Sequence, residues 1–308
     1  MQEIYDLVII GSGPAGLSAA VYGMRAGLKL VVVERNPMSG GQVLNTYEVD
    51  NYLGMPGING FDMGMKFREH ADRLGAAFLE AEVTGLTDGE IKTVHTSEGD
   101  LHTRALLLAT GAHHAQLEVP GEEELSGMGV SYCATCDGAF YRGKTVAVVG
   151  GGDVALEDAI YLTRFCEKVY LIHRRDELRG AHVLQEQLRA LPGAEILYSH
   201  VVKEIQGQEG VTGVLLEDLK SGEQRILSVD GVFVAVGIRP ETELLKGLVS
   251  CDEAGYVPAG EDGATGVSGV YVAGDIRKKP LRQVATAVAD GANAVTAAAA
   301  WIGSIAVS

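Results

Sequence analysis

Short, wholly apolar runs alternate with glycine-rich turns and alanine-rich stretches along this chain. Residues 6–10 form a β-rich apolar run that breaks into Gly11-Ser12-Gly13-Pro14-Ala15-Gly16, continues as an alanine-rich helical stretch, and reaches a second apolar run, 30–33, that ends at Glu34. The pattern predicts strand, turn, helix, strand. It then returns, with a strand at 145–149, the turn Gly150-Gly151-Gly152-Asp153-Val154-Ala155, a helix at 156–165 and a strand at 168–172. Two more apolar strands, 106–108 and 232–236, run out through Ala109-Thr110 to Gly111 and directly to Gly237, and a last one, 270–272, runs out to Gly274-Asp275. The stretches 111–144 and 238–269 are rich in turns and read as crossovers, so the second copy is inserted into the first.

Each turn has a physical reading. In a glycine turn between strand and helix, the first glycine makes the tight bend, the second lets backbone approach a pyrophosphate, and the third lets helix sit close on sheet. The helix N-terminus adds unpaired N–H groups and positive dipole for the phosphates. Glu34, about 20 residues after Gly11, is placed to accept from ribose hydroxyls. At the equivalent point of the second copy stand His173, Arg174 and Arg175, with Arg179 just beyond. Cations there accommodate a ribose 2′-phosphate that an acid would repel. The expectation is therefore an unphosphorylated ribose such as that of FAD in the first copy and NADPH in the second. The fold class is α/β: two Rossmann-like three-layer dinucleotide-binding domains, the first formed by 1–113 and 246–308, the second by 114–245. Asp275, at a strand's carboxyl end, sits where such sheets bind ligands.

At 308 residues, 46% hydrophobic and 21% charged, the chain is long enough for two cores and too apolar to be disordered. Its 41 glycines exceed the usual share of roughly 7% and suit nucleotide-binding loops. The net charge of −16 disfavours nonspecific attraction to nucleic acid or anionic lipid, so any polyanion needs a local basic cluster. The acidic opening residues lack the basic stretch of a secretory leader, and the expected compartment is a reducing cytoplasm. Residues 291–308 carry no charge, yet Ala, Gly, Ser and Thr dominate them. They read as a C-terminal helix packed in a core or a subunit interface rather than as a membrane anchor.

Four cysteines, Cys133, Cys136, Cys166 and Cys251, make neither a disulfide framework nor a zinc ribbon, and no metal is expected. Cys133-Ala134-Thr135-Cys136 just precedes the second glycine turn. Two thiols at this spacing can close a small disulfide, and a redox pair outweighs half a metal site or an inert pair. Asp137 follows at once, either shuttling a proton or capping a helix.

In its order of motifs the chain resembles the low-molecular-weight thioredoxin reductases, bacterial pyridine-nucleotide-disulfide flavoenzymes. The resemblance covers essentially the whole length. It rests on Gly11 to Gly16 with Glu34, Gly40-Gly41-Gln42, Ala109-Thr110-Gly111, Cys133-Ala134-Thr135-Cys136-Asp137-Gly138, His173-Arg174-Arg175, and Gly274-Asp275 with Arg282-Gln283. It implies that NADPH reduces FAD, FAD reduces Cys133-Cys136, and the dithiol reduces thioredoxin or a thioredoxin-like protein. Cys136 would face the flavin, Cys133 attack the partner disulfide, and Asp137 act as the acid. Flavin contacts would include Arg35, Gly41, Gln42, Asn51, Val83, Arg282, Gln283 and Val284, and NADPH contacts would add Asp153, Val154, Glu157, Val236 and Gly237. Val154 stands where relatives often have a hydroxyl residue. A homodimer is implied, and a rotation of the inserted domain about hinges near His113 and His114 and near 244–247. Two alternatives remain: a related flavin reductase serving another dithiol protein or small disulfide, and a low-turnover flavin redox sensor.

Overall fold

The computed structural model describes residues 3–46 and 48–305. The chain folds into two compact units. One contains the chain up to Thr46, Tyr52–His113 and everything from Arg239 onward; the other contains His114–Ile238 together with 48–51.

In the first unit, parallel strands Ala77–Glu80, Leu30–Glu34, Ile4–Ile10 and Gly99–Leu108 lie in that order, and Val270–Val272 pairs in parallel with the end of Gly99–Leu108. Antiparallel strands Lys92–Thr96 and Val83–Thr87 extend the sheet from the polar first half of Gly99–Leu108. That half was not legible as a strand, because Asp100, His102 and Arg104 interrupt its hydrophobicity. Successive side chains of a strand point to opposite faces. Accordingly Leu7, Ile9, Leu30, Val32 and Leu107 bury against the helices Pro14–Arg25 and Val284–Ile305. Val8, Ile10, Val31, Val33, Leu106 and Leu108 join Val94 of the antiparallel layer and Leu245, Val249 and Val257 on the other side. Burial on both faces is why these strands read as unbroken apolar runs.

The second unit repeats the plan. Its parallel sheet runs Ala194–Tyr198, Lys168–His173, Thr145–Gly150, Gly231–Ala235, Val130–Ser131. Val146, Val148, Leu171 and Phe233 face the helices Asp153–Leu162 and His182–Arg189, while Ala147, Val149, Ile172 and Val232 face the antiparallel sheet His200–Gly207, Val211–Asp218, Gln224–Leu227. The helix after the turn starts at Asp153, not at 156, because Gly152 already caps it in extended conformation.

The return to the first unit comes at Arg239, before the boundary at 246 drawn from sequence. Residues 239–245 are held there by Leu245, which is fully buried. Thr110 Oγ1 donates to Glu241 O at 2.7 Å, Glu241 N donates to Gly111 O at 3.0 Å, and His113 Nδ1 lies 3.0 Å from Glu241 Oε1. The expected hinge at 244–247 thus lies inside the first unit's own packing.

The alanine-rich C-terminal segment is the end of a 22-residue helix, Val284–Ile305, packed on Pro14–Arg25. Among the described residues no helix is long and apolar enough to cross a membrane. The two helices touch through backbone: a Cβ on Gly291 would come within 2.0 Å of Ala15 O, and Ser18 Oγ donates to Val288 O at 2.7 Å. Gly291→Ala must push the helices apart and is expected to cost about 1–3 kcal/mol. Gly303→Ala, on the same helix but facing open space, is expected to be neutral or slightly stabilising. Thermal unfolding of the two variants tests this, with a drop of several degrees for Gly291→Ala only.

Candidate dinucleotide and disulfide sites

The first glycine turn is built by backbone contact. Gly11 has φ of 101°, and a Cβ on it would lie 2.5 Å from Ala109 O; a Cβ on Gly16 would lie 1.9 Å from Gly11 O. Gly13 differs, since its nearest neighbour would be Gly41 Cα at 3.9 Å. Pro14 opens the helix, where its missing N–H costs nothing. Ser12 is fully buried, and both its N and Oγ donate to Glu34 Oε2, at 2.9 and 2.8 Å. Glu34 Oε1 accepts from Asn36 N and Nδ2 at 3.0 and 3.1 Å, and Arg35 beside it is exposed. The acid therefore braces the turn. Gly40 N donates to Ser12 O, and Gln42 Nε2 donates to Ala112 O.

Gly274 reaches this turn from the far end of the chain. A Cβ on it would lie 2.9 Å from Ala15 Cβ. Its N donates to the buried Asp290 Oδ2, which also takes Lys279 Nζ at 2.9 Å, while Arg277 Nη2 donates to Asp290 Oδ1 at 2.7 Å. Burial raises the Asp275 carboxyl above the usual range against the opposing pull of Lys279 and Arg282. Lys279 Nζ lies 3.4 Å from Asp275 Oδ1, an oxygen with no hydrogen-bond partner among the described residues. Arg282 stacks 3.9 Å over the Tyr256 ring with its Nε likewise unpartnered, and Gln283 N, just before Val284 starts the helix, donates to Thr286 Oγ1. Gly11 to Gly16, Glu34, Ala109 to Gly111 and Gly274-Asp275 thus gather at the carboxyl ends of one parallel sheet, where ligands bind. Val83 opens a strand of the antiparallel layer, and Asn51 lies in an exposed bend.

The second turn repeats the device with different partners. A Cβ on Gly150 would lie 2.4 Å from Ala235 O, one on Gly151 2.2 Å from His173 Nδ1, and one on Gly152 would meet nothing. The buried His173 fits beneath Gly151, its Nε2 is 3.1 Å from Glu177 O, and burial lowers its pKa. The segment after it folds over the turn: Arg179 N and Gly180 N donate to Gly151 O, and Ala181 N donates to Asp153 Oδ1. Arg174, Arg175 and Arg179 are exposed, and among the described residues none is ion-paired. Val154 is 52% exposed in the helix's first turn, with Glu157 exposed one turn on. Val236 and Gly237, the latter with φ of 141°, end the Gly231–Ala235 strand alongside.

In the same unit Cys133 and Cys136 form a disulfide with Cα atoms 5.3 Å apart. Cys133 caps the short helix Ala134–Asp137, and its O accepts from Cys136 N and Asp137 N at 3.2 and 3.1 Å. Burial pushes the Asp137 carboxyl up, and Ser131 Oγ, donating to Asp137 Oδ2 at 2.5 Å, opposes that shift. Cys166 is buried with its thiol pushed up to about 11, which makes it inert; Cys251 is a lone exposed thiol. Sequence reasoning missed Ser131, Asp290 and Lys279. A serine two residues before a cysteine carries no pattern of its own, and Asp290 reads as one charge on an otherwise apolar helix.

The family model described as pyridine nucleotide-disulphide oxidoreductase matches residues 5–291. The thioredoxin reductase of Bacillus subtilis is 44% identical over 292 residues, 94% of this chain and 92% of that protein. The crystal structure of thioredoxin reductase from Streptococcus pyogenes superposes with a TM-score of 0.95 at 40% identity, covering 99% of this chain and 100% of that one. Thioredoxin reductase from Giardia duodenalis gives 0.92 at 35% identity, covering 98% and 100%. Glycine turns, basic rim and neighbouring disulfide together agree with these likenesses, and the chain belongs to the pyridine nucleotide-disulphide oxidoreductases, of the bacterial thioredoxin reductase type.

Proposed function

We propose that the chain is an NADPH-dependent, FAD-containing thioredoxin-disulfide reductase, active as a cytoplasmic homodimer. The observation that carries the reading is the Cys133–Cys136 disulfide in the unit whose glycine turn is rimmed by three free arginines. The residues fit both dinucleotides. Gly13 and Gly152 leave open space where a pyrophosphate would approach, and the buried Asp275 Oδ1, which has Lys279 Nζ 3.4 Å away, would accept from a donor such as a flavin's ribityl hydroxyl. Bound there, the two cofactors would supply hydride acceptance and the two electrons that open the disulfide.

The chain's own part is thiol–disulfide exchange. In the reduced pair one thiolate, assigned to Cys133, attacks a sulfur of the partner's disulfide and displaces the other as a thiolate. Cys136 then attacks Cys133 in the mixed disulfide, so the Cys133–Cys136 bond re-forms and the partner leaves with both sulfurs reduced. Asp137, a buried carboxyl with raised pKa beside the pair in sequence, is suited to hold the proton a departing thiolate needs. The Cys136 sulfur is assigned to the flavin side. A purified yellow protein is expected to bleach anaerobically with NADPH and recolour on adding oxidised thioredoxin; bleaching without recolouring would point to another acceptor, and sluggish bleaching to a sensor.

Three outcomes follow from the residues. Gly13 has φ of −70° and room for a Cβ, so Gly13→Val is expected to fold yet lose its flavin absorbance, because the side chain fills the pyrophosphate's approach. Losing two charge-assisted contacts at ~1.5–3 kcal/mol each, Arg174→Ala with Arg175→Ala is expected to lower kcat/KM for NADPH by at least ~100-fold with NADH little changed. Steady-state kinetics with both nucleotides measure it. Cys133→Ser and Cys136→Ser are each expected to abolish thioredoxin turnover, and only Cys133→Ser to show a long-wavelength thiolate–flavin band in its absorbance spectrum.

A further inference from the structure

We propose that Ser131 is a positioning residue of the disulfide site, which ties the Asp137 carboxyl to the backbone of Cys133 and keeps that carboxyl ready to ionise. Ser131 is only 5% exposed, at the end of the strand Val130–Ser131. Its Oγ both donates and accepts within the site. It accepts from Cys133 N at 3.1 Å and gives its single proton to Asp137 Oδ2 at 2.5 Å. Since Cys133 O holds Cys136 N and Asp137 N, serine, cysteine and aspartate close a ring of hydrogen bonds around the Cys133 end of the disulfide.

The hydroxyl serves the acid in both of its states. Toward the carboxylate it donates. When Asp137 carries a proton, the hydroxyl can accept it and turn its own proton to Cys133 O, which lies 3.4 Å away. The second arrangement is the longer and weaker one, so the serine favours the charged form. The Ser131 hydrogen bond is what opposes the effect of burial on this carboxyl. The titratable groups around the short helix are Tyr141 on the following turn, pushed up to about 12, and Tyr161 and Asp158 on the helix packed against it, with Asp230 and Cys166 beyond Tyr141. Asp158, pushed up to about 7 by burial, belongs to another element.

The inference rests on Asp137 as the proton-holding group, and the test separates the two. The holoenzyme, Ser131→Ala, Ser131→Thr and Asp137→Asn are compared by the pH profile of thioredoxin reduction and by infrared titration of the protonated carboxyl band that Asp137→Asn lacks. Ser131→Ala removes one atom from a buried site and introduces no clash. Its Asp137 band is expected to titrate about one pH unit higher than in the wild type, with the profile's limb moving by the same amount. Ser131→Thr, which keeps the hydroxyl, is expected to stay with the wild type. An unmoved band in Ser131→Ala overturns the proposal while leaving Asp137's role intact. An Asp137→Asn enzyme with wild-type rate and profile overturns both.

Discussion

Nothing larger than a hydrogen atom fits between Gly16 and the carbonyl of Gly11, and the rest of the first unit is arranged around that contact. The clearance brings the helix's first turn down onto the end of the central strand, so free N–H groups open toward the sheet's carboxyl edge. Ala15 meets two further close approaches, from Gly274 at its Cβ and from Gly291 at its carbonyl. One small patch of main chain thus locks the nucleotide turn, the returning last strand and the C-terminal helix into a single cluster. Packing of this kind tolerates no added volume, because interiors are already close-packed.

The second unit solves the same geometric problem with other means. Where Glu34 holds its turn through Ser12, the inserted copy uses an imidazole beneath Gly151 and two backbone donors from the segment that carries Arg179. The charge beside the turn therefore reverses while the main-chain frame persists. The disulfide and its buried acid lie in the same compact unit as the cationic rim.

Much of this was legible in the residues because glycine and apolar runs report backbone constraints directly. Gly11, Gly16 and Gly150 are forced by contacts under 3 Å that any Cβ would violate, and Leu7 to Ile10 is apolar throughout because both faces are buried. What escaped lacked such a signature. The antiparallel layers have half-exposed strands whose polar residues break the pattern, as in Gly99–Leu108. The unit boundary falls at Arg239 because buried Leu245 and the hydrogen bonds of Glu241 to Thr110 and Gly111 hold this turn-rich stretch on the first unit, and none of these carries a period. Ser131 and Asp290 matter through partners brought together only by the fold.

The bracing role of Glu34 limits how the first glycine turn can change. A carboxylate offers about four acceptor positions, and this chain itself already occupies four, from Ser12 N, Ser12 Oγ, Asn36 N and Asn36 Nδ2. Replacing Glu34 cannot be a one-residue exchange here, since removing the acid also frees the buried Ser12 from its anchor and loosens the turn. In the inserted copy the turn's support comes from main chain and a histidine, so its rim arginines can vary without touching the scaffold. Room to vary the residues that flank a glycine turn is therefore lodged in one half of the duplication and denied to the other.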